Sequence, residues 1–273
     1  MLEFPEVINI SRQLQETVVG KTVRSVLPPT KRHKFCWFNG DPADYEAKIA
    51  GSKIASATGF GMFVEIQFEN GLKLCIDDGV NARFMTENET PGNFQLLIEF
   101  TDNTFLVFTV AMYGGIVLHD DLYKNDYYQK SQAAVSPLSP GFERYFSDIL
   151  AASKPNLSIK AFIATEQRFP GIGNGVLQDI LFEARIHPKR KIKSLTDEEK
   201  NNLRKSIVHV LTEMAEKGGR DTEKDIFGNA CSYVTRLSKN THGSPCPICG
   251  TIIEKEQYLG GVIYFCPECQ KEG

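Results

Sequence analysis

Four cysteines near the C-terminus have the spacing of a metal site. Cys246 and Cys249 form one Cys-X-X-Cys pair, and Cys266 and Cys269 form a second pair after sixteen intervening residues. Two such pairs offer four thiolates to a tetrahedral Zn²⁺ ion, whereas two disulfides, the alternative, are disfavoured inside cells. Four sulfur ligands leave no open coordination position, so we predict one structural zinc ion per chain. The remaining cysteines lack partners at this spacing and are interpreted as small buried hydrophobic residues: Cys36, Cys75 and Cys231.

A glycine-rich turn precedes a predicted helix in the second half of the chain. Residues 170–175 read Pro-Gly-Ile-Gly-Asn-Gly, and the helix is expected over Val176–Ala184. Backbone N–H groups at such a turn can bind an anion, and the Asn174 side-chain amide can donate to the same phosphate. The turn is not a dinucleotide-binding fingerprint, because the GxGxxG spacing is absent and no strand precedes it. An ordinary turn between two helices is the alternative interpretation.

The first part of the chain is predicted to be mainly β-structure. An amphipathic helix is expected over Pro5–Thr17, where apolar residues recur at helical spacing. Strands are predicted over the following segments: Lys21–Leu27, Met62–Phe68, Gly71–Ile76, Phe94–Phe100 and Thr104–Val110. Short strands that are joined by tight turns favour an antiparallel sandwich or barrel.

The second part of the chain is predicted to be helical. It follows a polar stretch with two prolines, which indicates a linker at residues 126–142. Helices are expected over Phe142–Ala152, Leu157–Thr165, Val176–Ala184 and Thr196–Lys217. The last has the clearest boundaries, because Thr196 and Glu199 form a capping box and two glycines follow its end.

Charge is distributed unevenly along the chain. Its 273 residues include 31 Lys+Arg and 34 Asp+Glu, and this length corresponds to about two domains. Residues 1–153 hold 13 Lys+Arg and 19 Asp+Glu, whereas residues 154–273 hold 18 and 15. Recognition of phosphate depends on the local field rather than on the net charge of −3. The C-terminal half is therefore the better candidate for binding a polyanion, with chance variation in surface charge as the alternative.

The N-terminal sequence does not have the pattern of a signal peptide. The first ten residues, MLEFPEVINI, contain two glutamates and neither a basic region nor a long apolar region. Apolar runs elsewhere are much shorter than the ~20 residues that a membrane helix needs. The chain is therefore expected to be cytoplasmic and monomeric, with no membrane partner.

These motifs, taken in order, resemble the formamidopyrimidine-DNA glycosylase / endonuclease VIII family. Leu2-Glu3-Phe4-Pro5-Glu6 is similar to the Pro-Glu-Leu-Pro-Glu start of family members. Gly171–Asn174 is similar to their Gly-Ile-Gly-Asn turn, and Ile180–Pro188 to the segment that follows it. Cys246 to Cys269 is similar to their C-terminal zinc ribbon, so the resemblance spans the whole chain.

The resemblance implies an α+β fold class with a specific domain order. An N-terminal antiparallel β-sandwich is expected over residues 1–125, followed by the linker at 126–142. A helical domain with a helix-two-turns-helix motif is expected over 143–240, and a zinc ribbon over 241–273. Duplex DNA, damaged or abasic, is the implied partner in the cleft between the sandwich and the helices. Gly171, Gly173 and Asn174 are the implied DNA-binding residues.

The resemblance also implies a base-excision repair reaction. In the family, the α-amine of an N-terminal proline, exposed when Met is removed, attacks the sugar C1′ of a nucleotide extruded from the stack. The resulting Schiff base eliminates phosphate while the adjacent glutamate shuttles protons. Glu3 matches that glutamate. Leu2 stands at the proline position, and Met1 is expected to remain because Leu2 is large.

Three further positions depart from the family pattern. Thr58-Gly-Phe-Gly61 stands where the family has a catalytic lysine, and Met112-Tyr113 where it has an Arg-Phe pair that fills the gap left by the flipped base. Gly260 or Gly261 replaces the phosphate-binding arginine of the zinc hairpin. We therefore expect a DNA-binding protein with impaired or altered catalysis. An active glycosylase that uses the Met1 amine or a Glu3-activated water is the alternative, and a zinc-dependent protein-interaction module is the third hypothesis.

Overall fold

The computed structural model describes residues 1–86 and 92–272. Within these ranges the chain forms seven α-helices and eleven β-strands. The helices are α1 (Phe4–Thr17), α2 (Tyr45–Ile49), α3 (Asp126–Ala133), α4 (Phe142–Ala152), α5 (Ile159–Ala164), α6 (Asn174–Ala184) and α7 (Asp197–Glu216). The strands are β1 (Val23–Leu27), β2 (Cys36–Trp37), β3 (Ile54–Phe60), β4 (Phe63–Phe68), β5 (Lys73–Asp77), β6 (Val80–Thr86), β7 (Leu96–Phe100), β8 (Thr104–Val110), β9 (Gly114–His119), β10 (Glu254–Tyr258) and β11 (Gly261–Phe265).

Strands β1 to β9 form two sheets that pack face to face. The order is β2-β9-β5-β4-β3 in one sheet and β1-β7-β8-β6 in the other. Ile66 and Ile76 of the first sheet share one apolar core with Ile98 and Phe108 of the second, and all four are buried. Every pairing is antiparallel except the two-residue contact between β2 and β9, which is parallel. The predicted antiparallel sandwich is confirmed, with this short parallel pair at one edge.

Helix α1 belongs to two hydrophobic cores. Val7, Ile10 and Leu14 recur at helical spacing and are buried in the core of the sandwich. Phe4, at the start of the same helix, is buried in the core formed by α4 to α7. The N-terminal helix therefore fixes the sandwich against the helical half of the chain.

The helical half follows the boundaries predicted from its capping residues. The Thr196 Oγ1 accepts the Glu199 N–H at 3.1 Å, and the Glu199 carboxylate accepts the Thr196 N–H at 2.8 Å, which starts α7. Gly218 and Gly219, both with positive φ, follow its end. No helix within residues 1–86 and 92–272 has both the length and the apolar character needed to cross a membrane.

The stretch predicted as a linker contains helix α3, which the sequence analysis did not identify. Asn125 caps it, because its side chain accepts the Tyr128 N–H at 3.0 Å. Only Tyr128 and Ser131 of this helix are buried, so its sequence carries almost no apolar periodicity. Tyr128 packs on the outer face of the five-stranded sheet, beside Phe63 and Cys75.

Candidate functional site

The N-terminus lies in a cleft between the sandwich and the helical half, with a volume of about 220 Å³. The sandwich side is lined by Met1, Leu2, Glu3, Met62, Asp78 and Tyr113. The opposite side is formed by Ala164, Gln167 and the glycine-rich turn, Gly171–Asn174. Two segments that the sequence singled out are thus brought together across more than 160 residues of chain.

The first two residues have no free secondary amine. The Met1 ammonium forms an ion pair with the Glu223 carboxylate at 2.5 Å, at the exposed rim of the cleft. The Leu2 nitrogen is a peptide nitrogen whose N–H donates to the Asp78 carbonyl at 2.5 Å, and the Leu2 side chain is buried. In this chain the nitrogen at position 2 is therefore part of a peptide bond, in which its lone pair is delocalised.

Glu3 caps helix α6 from across the cleft. Its carboxylate accepts the Gly175 N–H at 2.8 Å and the Val176 N–H at 2.7 Å. Burial raises the pKa of Glu3, and the charge of Arg220 and these two hydrogen bonds oppose that shift. The N–H groups that the sequence analysis assigned to phosphate, at this end of the helix, thus bind the chain's own carboxylate.

The glycines of the turn permit a close approach of the N-terminal segment. Gly171 has φ +88°, and a Cβ there would lie 2.3 Å from the Gly61 carbonyl oxygen. A Cβ at Gly173 would lie 2.6 Å from Glu3 Oε1. The Gly171 carbonyl also accepts the Phe4 N–H at 2.8 Å. These residues therefore have a packing role in addition to the DNA-binding role predicted for them.

Asn174 connects α6 to the hairpin of β10 and β11. Its side-chain amide donates to the Val262 carbonyl at 2.7 Å, while its Oδ1 is buried without a hydrogen-bond partner among the described residues. Lys160, which the sequence analysis missed, is also buried here and donates to the Tyr258 carbonyl at 2.6 Å. Burial lowers the pKa of Lys160. Both side chains border Gly261, one of the two glycines, Gly260 or Gly261, predicted to replace the hairpin arginine of the family.

Arg220 is a second residue of the site that sequence reasoning missed. It is buried, and its guanidinium binds the Glu6 carboxylate through two bonds of 3.0 and 2.9 Å. Its Nη1 lies 3.5 Å from Glu3 Oε2. Burial by itself lowers the pKa of Arg220. The negative charges of Glu3 and Glu6 have the larger combined effect, so the pKa is raised. The one feature of the sequence that could have drawn attention to Arg220 is its position directly after the two glycines that follow α7.

The structure places the other positions that the resemblance singled out on β3 and between β8 and β9. Thr58–Phe60 lies at the end of β3, and no lysine lines the cleft in the part of the chain that the structure describes. Met112 is exposed, and the Tyr113 hydroxyl lies 3.9 Å from Met1 Sδ. Asp78, also missed, faces the same space, and burial raises its pKa to about 6.

The four cysteines form one cluster that fits a zinc ion. Their sulfur atoms all lie within 4.8 Å of one another, with Cys246 and Cys269 3.9 Å apart and Cys249 and Cys266 3.4 Å apart. Four sulfurs at ~2.3 Å from one Zn²⁺ lie about 3.8 Å apart, whereas a disulfide bond is ~2.05 Å. The arrangement is compatible with structural zinc and contains neither disulfide of the alternative interpretation.

Two family models match most of the chain. The formamidopyrimidine-DNA glycosylase N-terminal domain matches residues 1–112, and the formamidopyrimidine-DNA glycosylase H2TH domain matches residues 134–225. The chain belongs to the formamidopyrimidine-DNA glycosylase family. Relatives with this name from Cytobacillus firmus and Listeria innocua are each 29% identical to it, over 99% of this chain and 100% of the relative.

Solved structures of the family share the whole fold. The MutM (Fpg) protein of Thermus thermophilus is 26% identical and superposes with a TM-score of 0.81, over 99% of both chains. The complex of Lactococcus lactis Fpg with DNA containing an abasic site gives a TM-score of 0.84 at 19% identity, over 98% of this chain and 99% of that one. The family resemblance and the α+β fold class with C-terminal helices and a four-cysteine cluster are confirmed. Family membership implies DNA repair, DNA binding and glycosylase chemistry.

Proposed function

We propose that this chain binds duplex DNA that contains an abasic or damaged nucleotide, with the damaged sugar in the cleft beside Met1 and Glu3. The observation that carries the proposal is the convergence of the N-terminal segment and the glycine-rich turn on this cleft, with the cysteine hairpin bonded to the same turn through Asn174. The Lactococcus lactis relative of the same fold was solved with abasic DNA. The excess of basic residues in 154–273 supplies a favourable field for the phosphates.

The cysteine hairpin is proposed to complete the DNA-binding surface. Cys246, Cys249, Cys266 and Cys269 would hold one Zn²⁺ ion, whose role is to keep the hairpin folded. Asn174 fixes the folded hairpin to the start of α6, so the turn and the hairpin present one continuous surface. Asn174, Gly171 and Gly173 are the residues proposed to meet the phosphate backbone there.

Catalysis by this chain is proposed to be impaired relative to its family. A Schiff base requires an unprotonated amine at C1′, and the Leu2 nitrogen is an amide. The Met1 amino group is engaged in an ion pair with the Glu223 carboxylate at 2.5 Å, at the rim of the cleft rather than free within it. Glu3 remains positioned to transfer protons, because its raised pKa brings the protonated form closer to neutral pH. The chain thus retains a proton-transfer group without an activated nucleophile.

The second candidate function is an active glycosylase, and one observation favours it. The Met1 amine lies at the same cleft as Glu3 and Asp78, so loss of its proton to a carboxylate would place a primary amine near the sugar. A water activated by Glu3 is the other route. That route has less support, because both oxygens of the carboxylate already accept backbone N–H groups.

Borohydride trapping on abasic duplex DNA separates these functions. We expect duplex binding that weakens as salt rises, with little or no trapped covalent complex. Intact-mass analysis of the same sample establishes whether Met1 is present. A strong covalent adduct mapped to Met1 would overturn the proposal of impaired catalysis and support the second candidate, an active glycosylase. Failure to bind any duplex at low salt would overturn the DNA-binding proposal itself.

A further inference from the structure

A second group of metal-ligating side chains lies on the outer face of the five-stranded sheet, away from the cleft. Glu65 of β4 stands directly opposite Cys75 of β5. His119 of β9 stands opposite Lys73, two residues from Cys75, and side chains two residues apart on a strand share a face. One carboxylate oxygen, one thiol sulfur and one imidazole nitrogen of these residues lie within 4.8 Å of one another, and Glu65, Cys75 and His119 are all buried.

The imidazole of His119 is oriented as a metal ligand would be. Its Nδ1 lies 2.8 Å from the Asp120 carbonyl oxygen, an acceptor, so Nδ1 carries the proton and Nε2 presents a lone pair. His119 is only 4% exposed, and Nε2 has no hydrogen-bond partner among residues 1–86 and 92–272. Glu65 Oε2 lies 3.8 Å from Nε2, beyond hydrogen-bonding distance. A buried lone pair therefore faces a carboxylate oxygen and a sulfur, and no donor within the described part of the chain satisfies it.

We propose that Glu65, Cys75 and His119 bind a second Zn²⁺ ion. Thiolate, imidazole and carboxylate are the three ligand types that zinc takes in proteins, at about 2.0–2.3 Å. Such ligand atoms lie roughly 3.3–3.8 Å apart around one ion, so a cluster whose ligand atoms lie within 4.8 Å of one another needs to contract by no more than about 1.5 Å. A thiolate and a carboxylate neutralise the dication, and a neutral complex is the kind that a buried site can hold.

The surroundings hold these ligands in place. The Tyr128 hydroxyl donates to the Glu65 carboxylate, and the Gln132 amide donates to that hydroxyl at 3.0 Å. The Tyr123 ring stacks on the His119 ring with 4.6 Å between centroids. Contacts of this kind orient the ligands of a metal site. Lys73, the nearby cation, donates to Asp121 at 2.8 Å and also lies 3.8 Å from Glu65 Oε1, on the oxygen of that carboxylate that faces away from His119.

The proposed ion would attach helix α3 to the sheet. Tyr128 and Gln132 both belong to α3. Tyr128 donates to the Glu65 carboxylate, and Gln132 donates in turn to the Tyr128 hydroxyl. The site is separate from the four-cysteine cluster and from the cleft, so we assign it a structural role. The inference does not depend on the proposed DNA-binding function, because it is tested by metal content alone.

Zinc content of the full chain tests the proposal. After loading with Zn²⁺ and removal of free metal, we expect two zinc ions per unmodified chain. Cys75→Ser and His119→Gln should each retain one, as should Cys249→Ser, which lacks a ribbon ligand. Cys36→Ser, a half-buried cysteine of the same sandwich without such neighbours, should retain two. The proposal would be overturned if Cys75→Ser held as much zinc as the unmodified chain. It would also be overturned if the unmodified chain held one zinc ion and Cys249→Ser held none.

A measurement on the unmodified chain covers the case in which these variants fail to fold. Loaded with ¹¹³Cd²⁺, the chain should give two resonances, because a site with four sulfur ligands and a site with one differ strongly in shielding. The one-sulfur resonance should lie well upfield of the other. A single resonance from the four-sulfur site, in a chain saturated with cadmium, would overturn the proposal.

Discussion

Glu3 shows how much a single residue of the site contributes to the structure. The family resemblance predicts Glu3 as a proton-transfer residue, and that prediction follows from its place beside the N-terminus. Its hydrogen bonds were not readable, because the N–H groups of Gly175 and Val176 lie more than 170 residues away along the chain. Arg220, which faces Glu3 at 3.5 Å, was missed for the same reason.

Restoring the family's first residue should restore part of its chemistry. In Leu2→Pro, Met removal would expose a secondary amine beside Glu3, still able to donate to the Asp78 carbonyl that now accepts the Leu2 N–H. We expect borohydride trapping on abasic duplex to rise several-fold above the unmodified chain. Full activity is not expected, because the absent lysine and arginine act together with the amine.

Two controls define the outcome of that substitution. Intact-mass analysis must show that Met1 is absent, since a retained Met1 would leave the nitrogen of the introduced proline as a tertiary amide. Glu3→Gln in the same background should suppress trapping, because it removes the proton-transfer group. Trapping that stays at background in a chain with a free proline amine and unchanged DNA affinity would contradict the assignment of this cleft to the sugar.

Three carboxyl groups, one buried and two half-buried, should make the protein more stable in mild acid. Burial raises the pKa of Asp78 and of Asp179 from 3.8 to about 6, and that of Asp77 from 3.8 to about 7. Each group binds its proton more tightly when folded, so its stabilisation is complete below about 3.8 and is lost as pH rises through its folded pKa. We expect the free energy of unfolding in urea to rise by about 2–4 kcal/mol between pH 8 and pH 5, because solvent screening reduces the shares of the two half-buried groups. Asp78→Asn should flatten this rise, and a stability that falls from pH 8 to pH 5 would contradict it.

At the scale of elements, the sequence was informative wherever local signals mark an element. The capping box of α7 and the alternation in β4 and β8 rest on neighbouring residues, and the structure agrees with them within a residue or two. Helix α3 was missed because only Tyr128 and Ser131 of it are buried, and Tyr128 docks on a sheet formed much earlier in the chain. The same reason hid Glu65, Cys75 and His119, which three separate strands bring together.

Asn174 should affect DNA binding through the hairpin as well as through phosphate. Asn174→Ala removes a hydrogen bond to Val262, worth about 1 kcal/mol, although Gln178 still donates to that carbonyl at 3.1 Å. We expect affinity to fall about equally for all duplex sequences, since neither contact reads a base. Fluorescence anisotropy with several duplexes measures this. Asn156→Ala, an exposed asparagine in a loop, is the matched control, and equal affinities of both variants would refute the role of Asn174.

Loss of a ribbon ligand should unfold the hairpin and leave the sandwich intact. In Cys249→Ser the hairpin loses the ion that replaces a hydrophobic core in so small a unit. We expect amide hydrogen exchange to accelerate by orders of magnitude over residues 246–270. The fluorescence of Trp37, the single tryptophan and a residue of β2, should not change. A protected hairpin in Cys249→Ser, or an altered Trp37 signal, would contradict this separation.

At the scale of the whole molecule, charges buried between the two halves connect them. Arg220 follows α7, whereas Glu3 and Glu6 begin α1, and all three side chains are buried. A buried ion pair adds little net stability, but removal of one partner leaves charges that water cannot reach. The start of α1 and the segment that follows α7 are thus joined by an interaction that periodicity and motif spacing do not reveal.

Arg220→Ala should therefore be among the most destabilising single substitutions outside the hydrophobic cores. We expect a loss of about 3–5 kcal/mol in the free energy of unfolding, because the Glu6 and Glu3 carboxylates would remain buried without their cation. The loss should be smaller at pH 5 than at pH 8, since without Arg220 burial raises the pKa of Glu3 further and the neutral acid tolerates burial. Arg12→Ala, which breaks an exposed pair with Glu16 in the same helix, should cost less than about 0.5 kcal/mol. Urea unfolding of both variants at pH 5 and pH 8 measures these differences. If Arg220→Ala and Arg12→Ala lost similar stability, and the loss did not depend on pH, Arg220 would not hold the two halves together.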